Sequence, residues 1–153
     1  MGAGRFIFWA VRSYRVKAGR GTGGIRGGGL TATSAFDSVA ALRPYMIWKG
    51  ATARAVQGER ITMAVVDVDP DQQVPEHSHD NEQLGFVLRG KITMTVAGVS
   101  RTLSVGETYS IPSDTPHSAA TGPEGATVVD VFAPVRSDWE QAERLPPKPG
   151  LWP

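Results

Sequence analysis

Pro75-Glu76-His77-Ser78-His79-Asp80-Asn81-Glu82-Gln83, running on through Leu84-Gly85-Phe86-Val87-Leu88 to Gly90, is the stretch around which the chain is organised. In an extended strand successive side chains alternate faces, so His77 and His79 are expected to point the same way from adjacent rungs, as a pair of metal ligands. Gln83, where the apolar run begins, is placed to close such a site from the next strand. The segment Ile111-Pro112-Ser113-Asp114-Thr115-Pro116-His117 ends in the third and last histidine. Three imidazoles and one amide form a neutral nitrogen and oxygen donor set. It suits a single divalent transition ion (zinc, nickel, iron, cobalt or manganese) rather than calcium or magnesium. The rival ligand is Glu82, which strand parity puts on the face opposite Gln83.

Around that stretch the pattern is of short strands. Tyr45 to Trp48 and Gly50 to Gln57 read as strands after a helical turn that Pro44 stops. Arg60 to Val68 is apolar on both faces and is expected in the middle of a sheet. Leu84 to Leu88 is followed by Arg89-Gly90 as a turn, then Lys91 to Ala97, Val99 to Leu103 and Thr108 to Ile111, and after His117 the chain pairs again through Ala126 to Phe132. Short strands punctuated by glycine and proline predict an all-β, closed or sandwiched antiparallel sheet. Ser113, Thr115, Tyr109 and Gln72 are candidate polar lining for the site, with a turn or surface role the favoured reading for each.

The 153 residues divide unevenly. Residues 1–33 carry nine of the eighteen glycines and six basic residues with no acidic one, a composition expected to stay disordered. The lesser alternatives are a targeting leader and a nucleic-acid-binding arm, and a start codon placed too far upstream would explain the segment equally well. Their apolar run, Phe6 to Val11, is far short of a membrane span. The barrel is expected over 36–136, followed by a proline-rich tail, 137–153, which beyond one turn around Asp138 to Arg144 is expected to drape over its surface. Without the first 33 residues the chain has ten basic against fifteen acidic residues, net −5, which offers no phosphate-backbone footprint. No cysteine is present, so neither a disulfide nor a thiolate site exists, and a cytoplasmic location is the default expectation.

Val128-Val129-Asp130-Val131-Phe132-Ala133-Pro134-Val135-Arg136 forms a second constellation. If Val129 and Val131 face the outer packing, Asp130 and Phe132 point inward, and a carboxylate in an apolar strand is a candidate acid or base. Arg136 could clamp a substrate carboxylate in bidentate fashion. The alternative is an Asp130–Arg136 ion pair at the rim, contributing about 0–1 kcal/mol.

The spacings His77-x-His79-x3-Gln83-x6-Gly90 and Gly106-x5-Pro112-x4-His117 resemble the two motifs of the cupin superfamily. With the Asp130-x-Phe132-x3-Arg136 ending, they look like the small cupins of pectin and alginate breakdown, which open 4,5-unsaturated monouronates to a linear keto acid. The resemblance implies a single jelly-roll barrel that holds its metal through His77, His79, Gln83 and His117. Asp130, Arg136 and Phe132 would be the catalytic or substrate-handling residues. Cupins commonly place glutamate where this chain has Gln83. The amide leaves the full charge of a dication in the cup and favours Lewis-acid work over oxygen activation. The implied partners are a small carboxylated substrate, with no nucleic acid and no membrane, and a second copy of the chain, with Trp48 and the early strands as interface. An oxygen-dependent dioxygenase and a non-catalytic binding module are the alternatives.

Overall fold

The computed structural model describes residues 37–152, and the segment expected to be disordered lies outside them. Eight strands form one antiparallel sheet: β1 (Tyr45–Trp48), β2 (Ala51–Gln57), β3 (Thr62–Val68), β4 (Gln73–His77), β5 (Glu82–Val96), β6 (Val99–Ser104), β7 (Thr108–Ile111) and β8 (His117–Ala133). The pairing order is β1-β2-β3-β8-β5-β6, with β4 also on β8 and β7 on β5. No helix among these residues is long and apolar enough to cross a membrane.

The two long strands do the closing. β8 pairs with β3 through Ala126 to Phe132, with β4 through His117 to Ala120, and with β5 along almost its whole length. Its partner β5 is one strand, not the two with an Arg89-Gly90 turn that the sequence suggests. Gly90 has φ +71° and sits opposite Ala126, with register shifts on either side of it, so the glycine makes a bulged bend inside the strand. Gly125 has φ +64°, and a Cβ there would come within 2.7 Å of the Val68 carbonyl oxygen. Both strands therefore bend at the same place, which curls the sheet round a core of Ala53, Val66, Val68, Val87, Ile92, Leu103, Ile111, Val128 and Phe132.

β3 lies in the sheet's middle as its two apolar faces predict: Thr62, Ala64, Val66 and Val68 are buried on one face and Val65 on the other, where Met63 alone is exposed. Asp67, on the outer face, is buried all the same because the chain's end covers it. Arg54 Nη2 donates to Asp67 Oδ2 at 2.7 Å and to the Trp152 carbonyl at 2.6 Å, and Thr127 Oγ1 donates to Asp67 Oδ1 at 2.7 Å.

Residues 137–152 contain a turn where one is expected, and they are tied to the barrel by hydrogen bonds. A 3-10 turn at Ser137–Gln141 buries Trp139 against Phe132 and Tyr45, with ring centroids 5.3 and 6.3 Å away. Beyond it, the Met46 amide donates to the Glu143 carbonyl and the Leu145 amide to the Pro44 carbonyl, both at 2.9 Å. Burying an indole recovers about 2–3 kcal/mol of transfer free energy, which proline content alone does not reveal.

Candidate metal centre

β4 ends at His77, so the strand-parity argument fails for His79, which lies in the loop before β5. The rings converge nonetheless. The His77 and His117 centroids are 4.2 Å apart, because the two residues are cross-strand partners, and His79 stands 4.9 Å from His117 and 5.9 Å from His77. One ring nitrogen from each histidine lies within 4.8 Å of the others.

Backbone carbonyls aim them. The Nδ1–H groups of His77, His79 and His117 donate to Pro75, Asn81 and Thr115 carbonyls at 2.8, 2.9 and 2.8 Å. A carbonyl can only accept, so each Nδ1 carries a proton, and in the neutral ring Nε2 then keeps its lone pair. Burial holds His117 in the neutral form, lowering its pKa to about 4 against the opposing bond to the Thr115 carbonyl. The pKa of His79 is lowered too, first by burial and then by the Arg136 guanidinium. Asn81, which the sequence reading does not single out, is buried and braces this loop by donating to the Pro134 carbonyl at 2.6 Å.

Gln83 completes the set. Its Nε2 donates to Asp130 Oδ1 at 3.0 Å, which turns Oε1 toward His79 Nε2 at 3.2 Å. With His79 protonated on Nδ1, that contact sets two acceptors face to face with no hydrogen between them. A cation at the convergence of the three rings satisfies both lone pairs, so the donors present fit a divalent transition ion. Glu82, its neighbour at the start of β5, is exposed, whereas Gln83 is buried.

Asp130 is 4% exposed and points into the cup, and Tyr109 OH donates to its Oδ1 at 2.6 Å. Burial raises the Asp130 pKa to about 6, while its bonds from Tyr109 and Gln83 and the Arg136 charge act in the opposite direction. Burial and the adjacent carboxylate push the Tyr109 phenol well above its ordinary value. Tyr109 thus belongs to the site, not to a turn. The signal is present in the sequence, since it lies two residues before the buried Ile111 in β7 and shares its inward face. Ser113 and Gln72 keep turn roles, donating to the Asp80 and Pro70 carbonyls.

Arg136 does not pair with Asp130. Its Nε and Nη2 donate to the two oxygens of Asp138 at 2.9 and 2.7 Å, and its guanidinium lies over Phe132 and Trp139, 4.9 and 4.7 Å from the ring centroids. The fork expected for a substrate carboxylate is held by Asp138, which a substrate must displace or share. Trp48 stands 5.2 Å from the His77 ring and lines the cup. The cavity is about 270 Å³, lined by His77, Gln83, Tyr109, His117, Asp130 and Arg136 together with apolar Trp48, Val66, Ile92, Met94, Val128 and Phe132.

A bent antiparallel barrel enclosing three histidines and a glutamine defines a small cupin, and residues 64–132 match the cupin domain family (Cupin_2). The chain thus carries a cupin domain, and it resembles the cupins of pectin degradation. It is 30% identical over 64 residues to the pectin degradation protein KdgF of Dickeya dadantii, a match spanning 41% of this chain and 58% of that protein, less than two thirds of its length. The solved structure of KdgF from Halomonas sp. superposes with a TM-score of 0.63 at 26% identity, covering 69% of this chain and 98% of that one. Oxalate decarboxylase from Bacillus subtilis, a protein with Mn(II) centres, shares the fold at a TM-score of 0.59 and 22% identity, over 71% of this chain and 32% of its own.

Proposed function

We propose that this cupin is a metal-dependent enzyme that opens the ring of a 4,5-unsaturated monouronate to the linear keto acid. The observation that carries the reading is the carboxylate inside the cup: Asp130 has Oδ1 tied to Tyr109 and Gln83 and shares its cavity with His77 and His117. Similarity to KdgF, a pectin degradation protein, supports a substrate drawn from that breakdown.

His77, His79 and His117 through Nε2, and Gln83 through Oε1, would hold the ion. When bound, it supplies Lewis acidity to a hydroxyl, enol or carbonyl oxygen. Ring opening is an isomerisation. The bond between the anomeric carbon and the ring oxygen breaks, the anomeric hydroxyl loses its proton to become an aldehyde, and one proton is added to the enol carbon as the former ring oxygen becomes a ketone. No oxidant enters. Asp130 takes the first proton and delivers the second, Arg136 meets the substrate carboxylate in exchange with Asp138, and Phe132 walls the site and seats the Arg136 guanidinium.

The test is purified Asp130→Asn beside the unsubstituted chain, assayed for bound metal and for loss of the double-bond absorbance of unsaturated uronates. Turnover should vanish while metal stays. Unsaturated uronates left intact by the metal-loaded unsubstituted chain refute the reading, and oxygen uptake would put a dioxygenase in its place. The implied homodimer belongs to the same proposal. Val56, Met63, Leu84 and Phe86 are exposed on the outer face of neighbouring strands, and sedimentation at equilibrium tests whether a second copy covers them.

A further inference from the structure

Tyr109 and Asp130 are both cross-strand partners of Gly85, one on β7 and the other on β8. Their side chains lean over the glycine from opposite sides and meet above it, the phenol donating to Asp130 Oδ1 at 2.6 Å. A Cβ at Gly85 would lie 2.5 Å from that same oxygen and would collide with the Tyr109 ring, so the meeting depends on there being no side chain at 85. Gln83 Nε2 donates to the same Oδ1 at 3.0 Å. One carboxylate oxygen therefore takes two donors. Among the described residues the sole buried side-chain atom without a partner is Arg54 Nη1, so Asp130 Oδ2, which has no hydrogen bond, is open to the cup.

We propose that Tyr109 is a positioning residue that acts through Asp130 Oδ1 in two directions. It fixes the carboxylate so that Oδ2 alone is presented to substrate. It also fixes the acceptor that orients the Gln83 amide, so that Oε1 faces His79 and the ion site. An amide left to itself has two nearly equivalent orientations, and in the wrong one Nε2 offers the ion a donor group instead of a lone pair. The hydroxyl thus stands behind both the acid/base atom and the fourth ligand, and groups of this kind commonly control metal affinity by about 10–100-fold. The inference rests on the metal-dependent reading proposed above.

The experiment titrates cobalt(II) chloride into the chelator-treated full chain by calorimetry and absorption spectroscopy, for the unsubstituted protein, Tyr109→Phe and Asp130→Asn. Tyr109→Phe keeps the ring over Gly85 and removes one oxygen. It should fold, bind cobalt about 10–100-fold more weakly with an altered cobalt spectrum, and lose kcat with little change in KM. Asp130→Asn keeps an acceptor oxygen for both donors and should bind cobalt as the unsubstituted chain does. Unchanged cobalt affinity and spectrum in Tyr109→Phe overturn the inference, as does a Tyr109→Phe chain that fails to fold, which would make the bond structural only. Absence of cobalt binding by the unsubstituted chain instead overturns the metal reading and this inference with it.

Discussion

Replacing Gln83 by glutamate, the residue cupins more often carry there, tests the logic of the cup most sharply. The Gln83 Nε2 to Asp130 Oδ1 bond is 3.0 Å long, so the substitution sets two carboxylate oxygens at hydrogen-bond distance with no hydrogen between them. Two unit charges at that separation repel by about 5–6 kcal/mol at an effective dielectric of about 20. The metal-free protein avoids this by holding one proton between the pair, a proton the unfolded chain gives up near pH ~4.3. The folded variant then binds more protons than the unfolded chain at every pH above that value, so its stability falls as pH rises, by about 1.4 kcal/mol per pH unit. Asp130 of the unsubstituted protein, its pKa raised to about 6, holds a proton of its own up to that pH, so relative to it the variant loses almost nothing at pH 5 and about 2–3 kcal/mol at pH 8. Urea unfolding of chelator-treated protein at those two pH values measures it. Adding Asp130→Asn places a donor opposite the introduced carboxylate and should recover most of the loss. A metal-free Gln83→Glu protein as stable as the parent at pH 8 would refute the argument.

Acid should release metal late. His117 has its pKa lowered to about 4 and that of His79 is lowered as well, so both rings stay neutral below the usual imidazole range. Bound cobalt should survive dialysis at pH 6 and leave nearer pH ~4–5, and release centred at or above pH ~6.5 would contradict the burial argument. In the metal-free protein a folded-state pKa depressed below ~6.5 means that the unfolded chain takes up the extra proton first. Stability carried by His117 is therefore present above pH ~6.5 and is lost as pH falls toward ~4, which urea midpoints will show. On the outer face, Asp67→Ala leaves the Arg54 guanidinium buried without its carboxylate and should cost about 3–5 kcal/mol in urea unfolding. Arg54→Met with Asp67→Leu removes both charges and should recover most of that, whereas a double variant as unstable as the single one would mean that the Trp152 carbonyl, not the ion pair, carries the energy.

The strands and the three converging histidines are legible in the sequence because they rest on local pattern: period-two alternation in β3, and motif spacings that place His77, His79, Gln83 and His117 at one end of a barrel. What is not legible depends on pairing. Gly90 with a positive φ is compatible with either a turn or a bulge, and only its partnership with Ala126 on β8 decides for the bulge. His79 leaves its strand, and it is the Asn81 carbonyl that brings its ring back to the others. In sequence Arg136 reads as free to clamp a substrate because an i, i+2 partner across a 3-10 turn, Asp138, gives no periodic signal. A tyrosine in a four-residue strand is ordinary, and the meaning of Tyr109 comes from the two neighbours of Gly85.

The amide at position 83 is best understood from that row of residues. A glutamate can serve an ion but cannot donate, and Asp130, diagonally placed on β8, needs a donor for the oxygen it turns inward. Tyr109 supplies one hydrogen to Oδ1 and Gln83 the second, and Gly85 leaves room for both. A carboxylate at 83 would strengthen the metal ligand and, in the same step, drive Asp130 to hold a proton that it could no longer exchange with a substrate. An amide divides the tasks, with its oxygen turned to the ion site and its nitrogen to the carboxylate. A cup that keeps a reactive carboxylate beside its ion therefore has a physical reason to prefer glutamine, and a cupin without a carboxylate opposite the small residue of this strand has none.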